Sequence, residues 1–189
     1  DIESSSTPKW FYDSGANELY LSAVDGGDPN VHTYYIPKDR AIYGGSAGKK
    51  IQVSGIQSWY GWIDFLGFDQ YVCQDCYVLG STGNGIRRDR ARGVEYRNEA
   101  AACDNDGTNM HNPLPTDPQT PGGEYLPAST IVSFDSYCHH NWDDGDSCHE
   151  RCEGQYVGGL WEYNGDRGIA TSYGAHVTVY NGTTRRNGQ

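Results

Sequence analysis

Apolar and polar residues alternate along this chain in short bursts rather than in long amphipathic stretches. Ile51 and Val53 alternate with Gln52 and Ser54, and His176-Val177-Thr178-Val179-Tyr180 repeats the two-residue rhythm before the Asn181-Gly182 pair. A period of two puts successive side chains on opposite faces, which predicts half-buried strands closed by tight turns. Trp10 to Val24, broken at Asp13-Ser14-Gly15 and ended by Asp25-Gly26-Gly27-Asp28-Pro29-Asn30, predicts two more strands, and His32 to Ile36 another, stopped by Pro37. Tyr71-Val72-Cys73, Cys76 to Leu79, Thr130 to Phe134 and Tyr156 to Trp161 read the same way.

Two stretches resist this rhythm. Trp59, Trp62, Ile63 and Leu66 fit a helical template, but Gly61 and Gly67 weaken it, leaving an extended segment equally compatible. Arg88 to Cys103 is rich in good helix formers between Glu95 and Ala102 and predicts a helix. No internal repeat is apparent. The expected fold is therefore mainly β: a compact, disulfide-stapled sandwich or barrel of short antiparallel strands with one helix near 88–103.

Residues 1–8 are polar and Ser-rich and predict a flexible arm before a single β-rich domain over 9–189. Residues 112–127 hold five of the eight prolines and predict a loop of polyproline character within that domain. A break there would strand some sixty residues with too little core of their own.

Composition sharpens the picture. Fifteen Tyr, five Trp and 25 Gly against one Met suit aromatic-filled pleats joined by tight turns. The formal charge of −11 disfavours nucleic acid and anionic membranes as partners, and no run of eighteen apolar residues predicts a membrane span. Six cysteines and the sequon Asn181-Gly182-Thr183 point to a secreted, extracellular glycoprotein.

Cys138 to Cys152 gathers three cysteines, three histidines and four acids. Zinc favours paired thiolates at two-to-four-residue spacing, yet in an oxidising compartment the same pairs predict disulfides. The expected connectivity joins Cys73 and Cys76 to Cys148 and Cys152, with Cys103 bonded to Cys138. Each bridge would contribute about 2–4 kcal/mol. His139, Asp143, Asp144 and Asp146 are candidate metal ligands, although their spacing matches no ligand motif. Asp104-Asn105-Asp106-Gly107 fails as an EF-hand loop, because the outer ligand positions are Ala102 and Pro113. No cofactor is expected.

Arg87, Arg88, Arg90 and Arg92 form a basic patch on an acidic chain and, with Trp59 and Trp62, are candidate ligand-binding residues. His140 and His149 are acid–base candidates because only His titrates near neutrality unaided. Glu95 and Glu99, one turn apart on the expected helix, are candidate paired carboxylates. These features predict a secreted, monomeric, effector- or toxin-like protein that recognises a host protein or glycan. The alternative is a secreted hydrolase acting on polysaccharide through paired carboxylates or His140 and His149.

Overall fold

A computed structural model of the chain describes residues 10–13, 18–21, 39–45, 50–112 and 129–188. The chain divides into two compact units, 1–34 and 35–189. In the first, Trp10–Asp13 pairs antiparallel with Glu18–Leu21, as the break at Asp13-Ser14-Gly15 predicts. The expected strand at His32 to Ile36, the arm at 1–8 and the heart of the proline-rich loop lie outside the described residues.

The second unit is a β-solenoid. Three six-stranded parallel sheets run its length. The first contains Lys50–Ser54, Gln70–Gln74, Arg92–Tyr96, Thr130–Phe134, Glu153–Val157 and His176–Tyr180. The second contains Gln57–Trp59, Tyr77–Leu79, Glu99–Ala101, Tyr137–His139, Leu160–Glu162 and Thr183–Arg185. The third contains Asp39–Gly45, Gly61–Leu66, Ile86–Asp89, Thr108–His111, Asp146–Cys148 and Ile169–Thr171. Each coil of chain visits one strand of every sheet and pairs in register with the coil before it. Arg92 thus stands over Thr130, Thr130 over Glu153, and Glu153 over His176.

This corrects the expected architecture: the sheets are parallel rather than antiparallel, and no helix occurs among the described residues. The stretch expected to be helical holds three strands, Ile86–Asp89, Arg92–Tyr96 and Glu99–Ala101. Arg90, Arg97 and Ala102 between and after them have φ of 52°, 49° and 52°. Left-handed backbone at such positions is incompatible with a right-handed helix, so the favourable propensity of Ala, Glu and Arg is overridden.

The corners explain why. The residue after each first-sheet strand is Gly55, Asp75, Arg97, Asp135, Gly158 or Asn181; the residue after each second-sheet strand is Tyr60, Gly80, Ala102, His140, Tyr163 or Arg186. All twelve have positive φ. At least two left-handed residues per coil bend the chain at fixed places, and the strands between these corners are held to three to six residues. A repeat thus exists, contrary to the reading of the bare sequence. First-sheet strands start at Lys50, Gln70, Arg92, Thr130, Glu153 and His176, at intervals of 20, 22, 38, 23 and 23 residues, the long one containing 113–128.

Inward side chains form the core. On the second sheet Ser58, Val78, Ala100, Cys138 and Trp161 all point inside and are at most 1% exposed. Size is balanced within and between coils: a Cβ on Gly93 would lie 2.2 Å from Cε1 of Tyr71, and one on Gly154 2.8 Å from Cε2 of Tyr156. Each ring occupies the space of a missing side chain.

At the second-to-third corner Asn141, Asn164 and Asn187 stack one per coil. The Asn164 side chain accepts from the Asn141 backbone N–H at 3.2 Å and side-chain amide at 2.9 Å, while its own amide donates to Cys138 O and to Asn187 Oδ1. Such ladders satisfy buried backbone donors that a corner removes from the sheet pattern. Four residues on, Gly85, Gly107, Gly145 and Gly168 also stack. A Cβ on Gly107 would sit 2.8 Å from Gly145 O, so only glycine permits the coils to approach there.

The expected disulfides are also corrected: all six cysteines are free and buried. Cys73 faces inward two coils before Cys148, a separation of roughly 10 Å at the strand spacing of a sheet, beyond the Cα reach of a disulfide. The thiols fill core positions that Val, Ser, Ala and Trp hold on other coils.

Candidate functional site

The outward side of the second sheet carries a continuous run of interacting polar and aromatic groups. Outward positions on successive coils hold Tyr77, Glu99, Tyr137 and Leu160, and two residues on, Leu79, Ala101, His139 and Glu162. Nε2 of His139 lies 2.9 Å from Glu99 Oε1, and its Nδ1 lies 2.7 Å from Nδ1 of His140. His140 is at the corner, where its ring stacks at 5.1 Å on Tyr163 of the next coil. The Arg186 guanidinium, one coil further, lies 5.3 Å from the Tyr163 ring centre and donates to its hydroxyl.

Beside this column Tyr137 donates to Glu162 Oε1 at 2.9 Å, and Arg185 Nε donates to Glu162 Oε2 at 2.7 Å. The Arg185 hydrogen bond holds the Glu162 carboxyl below its usual range. Partial burial, and then the Glu162 carboxylate, push the Tyr137 phenol up to about 12. Trp142, two residues past His140, is 82% exposed.

The outward side of the third sheet carries a second cluster. His149 has a serine on each ring nitrogen: Ser147 Oγ at Nε2, and Ser172 Oγ at 2.6 Å from Nδ1. Its ring stacks at 4.6 Å on His111 of the preceding coil, whose Nδ1 lies 2.9 Å from Glu150 Oε2. Burial, and then His111, lower the His149 pKa, so the imidazole is neutral at pH 7. On the two coils before it, Asp89 Oδ1, Asn109 Oδ1, Asn112 Oδ1, Arg87 Nε and Arg90 Nε are buried without a partner among the described residues, although Arg87 Nη2 pairs with Asp89 Oδ2 at 2.7 Å.

The residues singled out from the sequence are dispersed by this architecture. Glu95 points into the core and Glu99 outward from the next sheet, so the helical spacing that paired them does not exist. Arg88 is also internal and grips Glu95 with two bonds, Nε–Oε1 at 2.7 Å and Nη2–Oε2 at 2.6 Å. Arg87 faces outward on the third sheet, Arg90 occupies the following turn, and Arg92 opens a first-sheet strand exposed to solvent. The four arginines therefore form no single patch. Trp59 and Trp62 are half-buried on the second and third sheets of the first described coils. His139 and His140 share the second face, and His149 belongs to the third.

The metal candidates separate as well. Asp146 is internal. Asp143 and Asp144 converge with Asp106, their nearest oxygens lying within 4.8 Å of one another. The stacked corner accounts for much of this convergence. Asp106 Oδ1 accepts from the Asp144 N–H at 3.3 Å, its Oδ2 accepts from Asn109 at 2.5 Å, and Asp144 Oδ1 accepts from the Arg167 N–H at 2.9 Å. These carboxylates act as rung-to-rung caps. Burial pushes the Asp106 carboxyl up to about 6.

Tyr137, Tyr163, Arg185, Arg186, Ser147, Ser172 and Tyr173 did not stand out from the sequence. The signal for two of these positions was the 23-residue interval, which places Tyr163 and Arg186 in one column with His140. Comparison with protein-family models, with curated proteins and with solved structures found no similar protein. Fold and faces alone define the class: a parallel β-solenoid with two chemically distinct decorated sides.

Proposed function

We propose that the protein recognises an extended, hydroxyl-rich polymer, a neutral or basic polysaccharide, along the outward side of its second sheet. The stacked column His140–Tyr163–Arg186 carries this reading, with the exposed Trp142 two residues past its first ring. Aromatic faces take the apolar side of a sugar ring, while Glu99 and His139 offer acceptors and donors to its hydroxyls. Coils recur at about 4.8 Å, so equivalent groups meet successive units of a polymer. The charge of −11 makes an acidic polymer the poorest match. Extracellular placement belongs to the same proposal and rests on the sequon, whose Asn181 is an exposed corner residue.

A carboxylate-pair hydrolase has less support. Such an enzyme needs an accessible acid held protonated near neutrality. The carboxyls pushed up to about 6, Asp106 and Asp146, are 3% and 1% exposed.

The test is co-sedimentation with insoluble cellulose, chitin, chitosan, xylan and β-1,3-glucan, followed by titration with soluble oligomers of any that bind. The double variant Trp142→Ala, Tyr163→Ala is expected to bind at least about tenfold more weakly, the loss of about 1.4 kcal/mol of stacking. Binding to none of the panel, or undiminished binding by the folded double variant, overturns the reading.

A further inference from the structure

We propose that Ser172, His149 and Ser147 form a nucleophile–base–orienter set that hydrolyses small acyl esters of a hydroxylated carrier at the end of the third sheet. This proposal stands independently of polysaccharide binding on the second face.

The backbone creates the site. Ser172 follows the strand Ile169–Thr171 and opens a turn whose two central residues, Tyr173 and Gly174, have φ of 51° and 76°; the turn is closed by the Ala175 N–H bonding to Ser172 O at 3.1 Å. Successive positive φ values define a tight turn. It places Ser172 where it is half-buried rather than sealed, next to Tyr173, which is 71% exposed. The preceding coil makes the matching turn: Glu150 and Arg151 have φ of 44° and 61°, and the Cys152 N–H bonds to His149 O at 3.1 Å. His149 and Ser172 are therefore equivalent residues one coil apart. Their 2.6 Å contact is a consequence of register, as is the stacking of His111 on His149.

The chemistry follows from the two ring nitrogens. With Nε2–H donated to Ser147 Oγ, Nδ1 is the acceptor for the Ser172 hydroxyl proton. Ser172 Oγ bonds to the ester carbonyl carbon as His149 Nδ1 takes that proton. The tetrahedral oxyanion has two N–H groups at hand, those of Tyr173 and Gly174, neither of which donates to a described backbone acceptor. Collapse breaks the carbon–oxygen bond to the alcohol, which leaves with the proton from Nδ1. A water molecule then adds to the acyl-serine by the same route, giving its proton to Nδ1 and releasing the acid and Ser172. Atoms and charge balance without a further reactant. Ser147 fixes the tautomer rather than meeting substrate, and is a positioning residue.

The carrier's chemistry is indicated by the neighbouring coils. Asp89 Oδ1, Asn109 Oδ1 and Asn112 Oδ1 are acceptors buried there without a partner among the described residues, beside the donors Arg87 Nε and Arg90 Nε. Acceptors left open in a buried face suit a ligand that brings hydroxyl donors. A sugar or other polyol carrying an acetyl-sized ester meets both requirements.

The experiment uses a fluorophosphonate probe on the full chain, with the labelled peptide mapped by mass spectrometry, and turnover of p-nitrophenyl acetate in parallel. Labelling of wild-type protein at Ser172 is expected. His149→Gln is expected to slow it at least about 100-fold, the scale of general-base assistance, and Ser172→Ala to abolish labelling and turnover together. The labelling rate is expected to reach its plateau at a lower pH than an unperturbed imidazole of about 6.5 would give, and that midpoint to move only part of the way back in a variant lacking the His111 ring, because burial is the larger cause. No label at Ser172 in folded wild-type protein, or a label that persists in folded His149→Gln, overturns the proposal. Polysaccharide binding by Ser172→Ala reports only on the second face, so the two readings fail separately.

Discussion

Arg88 and Glu95 lie on strands of different sheets and meet inside the solenoid, each at most 1% exposed, in a two-pronged ion pair. Tyr71 donates to the same carboxylate at 2.7 Å. Removing either partner strands a charge in a dry interior, so Glu95→Ala is expected to cost about 3–5 kcal/mol in chemical denaturation. Replacing both, Arg88→Met with Glu95→Leu, is expected to recover most of that loss. Two single-variant losses that simply add in the double variant would refute the coupling.

Asp146 gives this interior a second carboxylate for one guanidinium. Its Oδ1 is 3.6 Å from Arg88 Nη1, and the Thr108 and Tyr156 hydroxyls face it without closing a hydrogen bond. Burial raises its pKa to about 6, and Asp106 likewise. A raised carboxyl binds its proton more tightly in the folded chain than in the unfolded one. The stabilisation is therefore complete below the unfolded value near 3.8 and lost as pH climbs through about 6. Asp75, at an exposed site, and Glu162, largely covered, act in the opposite sense, lowered by Arg97 and Arg185. Melting temperature is expected to fall between about pH 4.5 and 7, and Asp146→Asn to flatten that fall. An unchanged slope in the variant would show that Asp146 is not its source.

The stacked Gly145 and the corner Gly55 differ sharply. A Cβ on Gly145 would lie 2.6 Å from Gly168 O and 2.7 Å from Asn164 Nδ2, whereas one on Gly55, at φ +67°, meets nothing within 4 Å. Gly55→Ala is expected to cost about 1–2 kcal/mol of backbone strain. Gly145→Ala must also push neighbouring coils apart, and a larger loss is expected, about 3 kcal/mol by the usual range for overpacking. Denaturant midpoints rank the two, and the reverse order would contradict the stacking geometry.

Asn164→Ala removes the acceptor of the Asn141 N–H and leaves a buried donor unpaired. A loss of about 1–3 kcal/mol is expected, with hydrogen exchange at Asn141 accelerated more than at residues two coils away. Uniform acceleration along the chain would argue against a local ladder.

The thiols provide the simplest measurement. Burial pushes Cys103 up to about 12 and raises Cys138 well above its ordinary value. Native protein is expected to resist maleimide at about pH 7.5, and protein unfolded without reductant to react at all six cysteines. Fewer than six would mean that bridges form after all.

Strand existence was legible in the sequence. Ile51 with Val53 and the alternation around Val177 mark strands correctly, because an outward-facing polar residue separates each inward apolar pair. The coil repeat was not, because core positions are filled by volume rather than by kind: equivalent first-sheet positions hold Val53, Cys73, Glu95, Ser133 and Tyr156. Residues 113–128 also interrupt the interval. Corner geometry was hidden too, since Arg90, Arg97, Ala102 and His140 adopt a conformation that composition assigns to Gly or Asn. The visible trace was at the other corner, in Asn141 and Asn164, with Gly145 and Gly168 four residues on. Without the coil register these are two unrelated polar loops. His139, His140 and His149 were legible as chemistry, but their assignment to two different sides requires that register.

The spacing of the asparagines has a consequence for how such a chain can change in length. Because Asn141, Asn164 and Asn187 meet only at multiples of one circuit, the molecule is quantised. Excising 153–175 as a block would set His176 on Thr130, whereas excising a single residue from within a strand of that block would turn the rest of that strand's core side chains toward water. Whole circuits are the units in which the stacked strands can be shortened, extended or spliced, while the 38-residue interval puts its extra length between Thr108–His111 and Thr130–Phe134.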